Sequence, residues 1–220
     1  MDAAISEFRT DRYYWLNEYR WRLFVQTGIP IEGQVVFEPG AGIGDQTSWL
    51  LNRGARKVIT SEGREINLDV IRKRFSGDER VLTMLGDLEN CLNNPGFQVQ
   101  ADLIFLWGVY YHINDSINDF PILRSLAKIA PIIALDYQVS LSGLDWLEEY
   151  NYDNVSTSIS HSSWRQTPET MISGIRASFG YAYFPREQMD WEDPSTLVAP
   201  RRIIIGSKTP LDYPGLVEAI

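Results

Sequence analysis

The sequence has little cysteine or histidine and no long apolar run, and each shortage excludes a class of protein. The single cysteine, Cys91, cannot form an internal disulfide, and two histidines are too few for a dense zinc site, so we predict no metal. No apolar stretch approaches the roughly 18 residues of a membrane helix, and the first ten residues lack the apolar core of a secretion signal. We therefore expect a cytoplasmic protein without membrane contact.

Basic residues are also in short supply. Twenty Lys and Arg against 29 Asp and Glu give a formal net charge of -9, which repels a phosphate backbone at long range. Nucleic acid is therefore a disfavoured partner. The 220 residues, 44% of them hydrophobic and 22% charged, form an ordinary globular composition, and this length favours one α/β domain with an extension.

The chain opens with a helical pattern and continues with alternating strands and helices. Residues 3–27 contain neither proline nor glycine and repeat large apolar side chains every three or four positions, which predicts one amphipathic helix ended by Gly28. The alternation that follows implies a doubly wound α/β sheet. Its strands are predicted at 35–38, 58–61, 81–85, 101–107 and 132–136, and its helices at 45–53, 67–75 and 118–130.

The alternation of strands and helices stops at residues 138–166. This segment is rich in polar residues, which predicts a substrate-side insertion. A helix at 168–179 and strands at 181–184 and 201–206 follow. Only about fifteen irregular residues separate these two strands, too few for a helical crossover, so we predict an antiparallel pair. The predicted fold is a doubly wound, seven-stranded, mostly parallel sheet with an antiparallel last strand. Residues 1–30 are predicted to form an N-terminal helical extension of the main domain, 31–220.

Three glycines, Gly40, Gly42 and Gly44, stand at alternate positions between the first strand and the next helix. Glycine there permits positive φ and close approach of a ligand to the main chain. A dinucleotide fingerprint would place its last glycine at position 45, where this chain has Asp45, a carboxylate in the place of a pyrophosphate. The loop therefore favours a nucleoside ligand without phosphates, and an NAD-dependent oxidoreductase is a distant alternative.

Three carboxylates lie where predicted strands end. Glu38, in the first loop, is placed to meet a cation, and Glu62, after the second strand, can accept both hydroxyls of a ribose. Asp87, after the third strand, can accept the exocyclic amine of adenine. Ligands of open α/β sheets bind at the carboxyl ends of the strands, where Trp107 also lies.

The run Phe37-Glu38-Pro39-Gly40-Ala41-Gly42-Ile43-Gly44, with Glu62, Gly86-Asp87 and the strand beginning at Asp102, resembles the class I S-adenosylmethionine-dependent methyltransferases. The resemblance covers roughly residues 33–137 and implies a Rossmann-like methyltransferase fold with S-adenosyl-L-methionine as cofactor. It implies that the glycine loop holds the methionine part, the acid after the second strand the ribose, and the acid after the third strand the adenine. The predicted cofactor-binding residues are Glu38, Gly40, Ala41, Gly42, Gly44, Glu62, Gly63, Asp87, Leu88 and Trp107.

The segment 107–113, Trp-Gly-Val-Tyr-Tyr-His-Ile, is similar to a Gly-Val-Leu-Tyr-His stretch of several class I methyltransferases. Some of those act on small molecules and some on wobble uridines of transfer RNA. An acceptor hydroxyl must lose its proton during methyl transfer, and His112 has the pKa range of a base. We predict His112 and Tyr111 as catalytic residues. The alternative is a structural histidine that orders the loop.

Acceptor binding is predicted at Tyr110 and in the insertion, where His161, Trp164 and Arg165 could line a pocket or hold an acidic substrate. The alternative for these three is the rim of a mobile flap. The aromatic and basic side chains of the N-terminal helix are expected to pack on the sheet, with the arginines reaching solvent. A cofactor lid and an acceptor or partner contact are the alternatives for that helix.

Taken together, the residues predict an S-adenosylmethionine-dependent methyltransferase that acts on a small polar metabolite, with a sugar hydroxyl as one candidate. One alternative is a methyltransferase that modifies transfer RNA or another RNA. A second is a catalytically silent S-adenosylmethionine-binding partner subunit. The sequence leaves the acceptor, the methylated atom and the oligomeric state open.

Overall fold

A central sheet with helices on both faces organises the computed structural model, which describes residues 3–113, 119–140, 142–149, 162–187 and 201–219. The helices within these ranges are α1 (Ala3–Phe8), α2 (Asp11–Thr27), α3 (Asp45–Asn52), α4 (Glu65–Arg74), α5 (Leu88–Asn93), α6 (Pro121–Ile129) and α7 (Pro168–Phe179), with a 3₁₀ helix at Tyr110–His112. The strands are β1 (Val35–Pro39), β2 (Lys57–Glu62), β3 (Val81–Leu85), β4 (Leu103–Leu106), β5 (Ile132–Val139), β6 (Trp146–Glu149), β7 (Ser162–Gln166), β8 (Tyr181–Pro185), β9 (Arg201–Ser207) and β10 (Leu216–Glu218).

The strand order β10-β8-β9-β5-β4-β1-β2-β3 confirms the predicted doubly wound sheet. Strands β1 to β5 run parallel, and β9 is antiparallel to both β5 and β8, as predicted for the last two strands. The seven predicted strands are all present. In the described residues the sheet gains three more, β6, β7 and β10.

The segment predicted as an irregular insertion, 138–166, contains two of the additional strands. Strand β5 extends three residues beyond its predicted end at Asp136, and β7 pairs in parallel with this extension, while β6 pairs with β7 as a hairpin. Short strands such as these depend on their cross-strand partners more than on intrinsic propensity. Their own sequence therefore carries little signal.

The N-terminal segment forms two helices rather than the single predicted helix. The hydroxyl of Thr10 accepts a hydrogen bond from the backbone N–H of Tyr13 at 3.4 Å. Thr10 therefore caps a new helix, and the helical conformation is interrupted between Phe8 and Asp11. Threonine favours such caps because its side chain competes with the helical backbone. Helix α2 ends at Gly28, which has φ +82°, as predicted.

Two apolar layers enclose the sheet. On one face, Leu23 and Phe24 of α2 and Leu50 of α3 pack on β1, β2 and β4. On the other face, Leu123 of α6 and Ile175 of α7 pack with residues of β4 and β5. Helix α5, which the sequence did not predict, belongs to this second layer. The carboxyl ends of β1, β2, β4 and β5 lie together at one edge between the layers.

In the part of the chain that the structure describes, the helices are all too short or too polar to cross a membrane.

Candidate functional site

The glycine loop after β1 is fixed to two neighbouring strands. Gly40, Gly42 and Gly44 have φ of +70°, +57° and +83°, a conformation that side chains disfavour. The backbone N–H groups of Gly40 and Ala41 donate to the carbonyl of Ser61 at 2.7 and 3.1 Å. A Cβ on Gly40 would lie 2.3 Å from Cγ2 of Val109, so only glycine lets the loop after β4 approach this closely.

Helix α1 lies over this loop. A Cβ on Gly42 would lie 2.8 Å from the Phe8 ring, and Phe8 and Ile5 pack against Ile43 and Val70. The N-terminal residues therefore touch the loop that was predicted to hold the methionine part of the cofactor.

Glu62 connects the loop to β2. Its Oε2 accepts a hydrogen bond from Gly42 N at 2.8 Å, and its Oε1 accepts from Arg64 N at 3.0 Å and from the Asn67 amide at 3.4 Å. Burial raises the pKa of the Glu62 carboxyl above its ordinary value, although these hydrogen bonds oppose the change. A carboxylate has about four lone-pair positions, so one position stays open for a ribose hydroxyl, and a second hydroxyl would have to displace the long contact with Asn67.

Glu38 is buried beside the glycine loop, with 2% of its surface exposed. Its Oε2 accepts a hydrogen bond from the Thr47 hydroxyl at 2.6 Å, while its Oε1 has no hydrogen-bond partner in the described residues. Burial raises the pKa of Glu38 to about 8, with the nearby Asp45 and Glu62 adding to the effect. A buried carboxyl with an open oxygen is a site that a cationic ligand group would satisfy.

Asp87 lies at the end of β3 and caps α5. Its Oδ1 accepts a hydrogen bond from Asn90 N at 2.7 Å, and its Oδ2 accepts from the Asn90 amide at 2.7 Å. The preceding Gly86 donates its N–H to the carbonyl of Glu62 at 2.9 Å, which places Asp87 next to the end of β2. Leu88 beside it is buried, and Gly63 is half-buried.

The predicted cofactor residues on β1, β2 and β3 are thus brought together by direct contacts. Trp107 is placed differently: it is 8% exposed and its ring packs on Phe24 and Phe105, with centroids 6.2 and 4.5 Å apart. Its Nε1 has no hydrogen-bond partner in the described part of the chain. The role of Trp107 in cofactor binding stays a prediction.

The predicted acceptor residues fall into different environments. Tyr110 is fully buried in the core beneath α6, and Tyr111 is 4% exposed. His112 is half-buried, and the centroid of its ring lies 4.3 Å from that of Tyr111. Trp164 is half-buried on β7, and Arg165 is buried. His161 lies outside the described residues. Their catalytic and acceptor-binding roles stay predictions.

A buried charge cluster at the end of β5 was not predicted from the sequence. Asp136 is 1% exposed, and its Oδ2 accepts hydrogen bonds from Nη2 and Nε of Arg20 at 2.7 and 3.1 Å and from Nη1 of Arg201 at 3.4 Å. Its Oδ1 accepts from Gly108 N at 2.5 Å. The Arg201 guanidinium lies 4.6 Å above the centroid of the Tyr111 ring.

The electrostatics of this cluster differ from those of the glycine loop. Burial works to raise the pKa of Asp136, but the guanidiniums of Arg20 and Arg201 and the Gly108 N–H outweigh it and hold that pKa below its ordinary value. Burial raises the pKa of the Tyr111 phenol. The expectation that the arginines of the N-terminal helix reach solvent is wrong for Arg20, which is 7% exposed, because Asp136 supplies a buried partner.

One signal in the sequence pointed to this cluster. Asp136 ends the predicted fifth strand at the carboxyl edge of the sheet, where ligands of such folds bind. Its two arginine partners carried no comparable signal, since they stand 116 and 65 residues away along the chain.

Comparison with known proteins gives matches at the level of structure alone. No family model and no curated protein sequence matches the chain. The N-terminal domain of EvdMO1, solved with S-adenosylhomocysteine bound, is similar with a TM-score of 0.65 and 16% identity, over 90% of this chain and 84% of that one. A 1,6-didemethyltoxoflavin-N1-methyltransferase from Burkholderia thailandensis, also with S-adenosylhomocysteine, has a TM-score of 0.64 and 18% identity over 94% and 85% of the two chains.

A third similar structure comes from Pyrococcus horikoshii, a protein whose suggested activity is RNA methylation. Its TM-score is 0.57 at 17% identity, over 92% of this chain and 86% of that one. At these identities the likeness concerns the fold. The chain therefore has the fold of the class I S-adenosylmethionine-dependent methyltransferases, as the sequence resemblance implied.

Proposed function

We propose that this protein is a cytoplasmic S-adenosylmethionine-dependent methyltransferase whose acceptor is a small polar metabolite. The observation that carries the proposal is the hydrogen bond from Gly42 N to Glu62, which joins the glycine loop of β1 to the acid of β2 in one site. Residues 31–220 would form the methyltransferase domain, with residues 1–30 as its extension.

The side chains present fit the cofactor. The open Oε1 of Glu38 would meet the amino group of its methionine part, and the bare backbone of the glycine loop lets that part approach closely. Glu62 would accept the ribose hydroxyls and Asp87 the adenine amine. When bound, S-adenosylmethionine supplies a methyl group on a positively charged sulfur.

The acceptor would enter beside the loop after β4. His112, half-buried in the 3₁₀ helix, would take the proton of an acceptor hydroxyl, and Tyr111 would lie next to it. Holding donor and acceptor in line can supply roughly 7 to 11 kcal/mol of the barrier reduction, so most of the rate would come from position.

RNA is the second candidate acceptor. The Tyr-His loop and the similar protein of Pyrococcus horikoshii favour it, while the net charge of -9 opposes it. A silent cofactor-binding subunit is the third possibility, and it would bind the cofactor yet copurify with a larger partner and show no turnover alone.

Calorimetric titration with S-adenosylhomocysteine tests the proposal, with NAD as the comparison ligand. We expect binding of S-adenosylhomocysteine and none of NAD. Glu62→Gln should weaken binding about tenfold or more, because the ribose loses a charged acceptor. Glu65→Gln is the matched control, since Glu65 is exposed three residues further on. Absence of S-adenosylhomocysteine binding would refute the proposal.

A screen of polar metabolites with methyl-labelled S-adenosylmethionine would then identify the acceptor. For an accepted hydroxyl compound, His112→Ala should lower kcat by about 10² to 10⁴ while leaving S-adenosylhomocysteine affinity unchanged. Unchanged turnover would assign His112 a structural role. Binding to RNA that weakens steeply with added salt would instead favour the RNA candidate.

A further inference from the structure

The charge cluster at the end of β5 holds more positive than negative charge. In the described residues, Asp136 is the only carboxylate in ion-pair contact with Arg20 or Arg201, whose side chains are 9% and 12% exposed. Within the described ranges, two guanidiniums on one carboxylate leave one excess positive charge in a buried place. Such a charge is costly unless an anion accompanies it.

The two arginines do not contribute equally to Asp136. Arg20 makes two hydrogen bonds to Oδ2, at 2.7 and 3.1 Å, and its single positive charge already balances the charge of the Asp136 carboxylate. Arg201 adds one longer contact of 3.4 Å to the same oxygen. Its Nε is buried and has no hydrogen-bond partner in the described residues. Arg201 therefore has donor capacity that Asp136 does not use.

Arg201 belongs to a row of polar side chains across three strands. Gln138 of β5 is in register with Arg201 of β9 on one side and with Arg165 of β7 on the other, so the three side chains share one face of the sheet. Gln138 is buried, and its Oε1 also has no partner in the described part of the chain. The terminal amide can turn so that its NH₂ donates to a ligand.

This row lies next to the loop that approaches the cofactor site. Gly108 donates its N–H to Asp136, and a Cβ on Gly108 would lie 3.5 Å from Nη2 of Arg20. The neighbouring Val109 touches Gly40 of the glycine loop. The loop after β4 is thus in contact with the arginines on one side and with the predicted methionine site on the other.

We propose that Arg201, with Gln138 beside it, binds an anionic group, carboxylate or phosphate, of the methyl acceptor. A planar guanidinium with a free Nε matches such a group in a two-point contact. The Tyr111 ring beneath it holds the guanidinium in place without neutralising it. The inference rests on the proposed function and narrows its acceptor from a polar metabolite to an acidic one.

Calorimetry on the protein saturated with S-adenosylhomocysteine tests the subsite, with inorganic phosphate and malonate titrated separately at constant ionic strength. We expect one of these anions to bind, and the preferred one distinguishes a phosphate from a carboxylate acceptor. Arg201→Gln should weaken that binding about tenfold or more, equivalent to about 1.4 kcal/mol.

Arg202→Gln is the matched control. It removes the same charge from the next residue of β9, which pairs with Tyr137 and so faces the other side of the sheet. We expect its anion affinity to stay within about twofold of the wild type. Should Arg201→Gln unfold early in a thermal melt, Arg201→Lys keeps the charge and removes the planar fork, and it should still weaken binding several-fold.

The two proposals fail in different ways. Absence of binding of both anions, or equal binding by the wild type and both Arg201 variants, overturns the anionic subsite even if S-adenosylhomocysteine binds. Repeating the titrations without S-adenosylhomocysteine separates the other case: anion binding through Arg201 in a protein that does not bind S-adenosylhomocysteine would refute the methyltransferase proposal and keep the anion site.

Discussion

The glycine-loop side of the site and the β5 side are built by contacts of very different range along the chain. On the glycine-loop side, Glu62 meets Gly42 across 20 residues, and Glu38 meets Thr47 across nine. On the β5 side, Asp136 meets Arg20 across 116 residues and Arg201 across 65. Short-range contacts leave a motif in the sequence, whereas long-range contacts leave only isolated charged residues.

The two sides also treat buried carboxyls in opposite ways. Burial raises the pKa of Glu38 and Glu62, which have no buried cation in direct contact in the described residues. The pKa of Asp136 is lowered because two guanidiniums outweigh burial. The glycine-loop side is therefore suited to a cationic ligand group, and the β5 side to an anionic one.

The largest effect is expected from removing the carboxylate of the β5 side. Asp136→Ala would leave two buried guanidiniums without their carboxylate and Gly108 N–H without its acceptor. We expect a loss of about 3–5 kcal/mol in the free energy of unfolding, measured by urea denaturation. Asp69→Asn, which breaks an exposed pair with Arg72, is the control and should cost less than about 1 kcal/mol. Equal losses in the two variants would contradict the importance of burial.

The pH dependence of stability distinguishes the two sides next. The pKa of Glu38 is about 8 in the folded protein against 4.5 for the free side chain, so between these values the folded state binds more protons than the unfolded state. The contribution of Glu38 to stability is thus present at low pH and is lost as pH rises through about 8, with a slope of at most about 1.4 kcal/mol per pH unit.

Urea unfolding of wild type and Glu38→Gln across this pH range measures the effect. The substitution should flatten the decline, while Glu65→Gln on the exposed side of α4 should leave it as in the wild type. A decline that is identical in the Glu38→Gln variant would show that Glu38 is ionised in the folded protein. The Asp136 carboxylate has the opposite sign: its contribution is lost as pH falls.

A smaller effect is expected when a side chain fills the narrow space between the glycine loop and the loop after β4. Gly40→Ala adds a Cβ 2.3 Å from Val109 to the strain of φ +70°, whereas Gly33→Ala meets nothing within 4 Å at φ +75°. The difference between these variants in the free energy of unfolding isolates the clash, which we expect to cost about 1–3 kcal/mol. We also expect Gly40→Ala to lower the affinity for S-adenosylhomocysteine, and adding Val109→Ala should restore part of that affinity. No rescue would mean that the loop after β4 does not limit the glycine loop.

The smallest effect concerns Asp87, whose two roles can be separated. Asp87→Ala removes the cap of α5 and should lower the free energy of unfolding by about 1 kcal/mol. Asp87→Asn keeps a capping oxygen, so stability should stay near the wild-type value while S-adenosylhomocysteine affinity falls. Equal affinity of the wild type and Asp87→Asn in calorimetry would remove Asp87 from the adenine site.

Much of the fold was predictable because its signals are local. The alternation of apolar runs with helical periods predicted the five parallel strands, and the short connection before β9 predicted the antiparallel pair. The hairpin of β6 and β7 was not predictable, because its pairing with β5 supplies the order that its own residues do not specify. The break at Thr10 was missed because the apolar period continues across it.

The sequence by itself determined the glycine loop, the acids at the ends of the first three strands and the class of fold, since each is marked by a local pattern of apolar, glycine and acidic residues. Tertiary structure alone decided that Arg20 is buried and that Arg201 joins it on Asp136 beside Gly108. The physical reason is that a buried charge needs a partner in space, and the sheet chooses that partner by strand order and register.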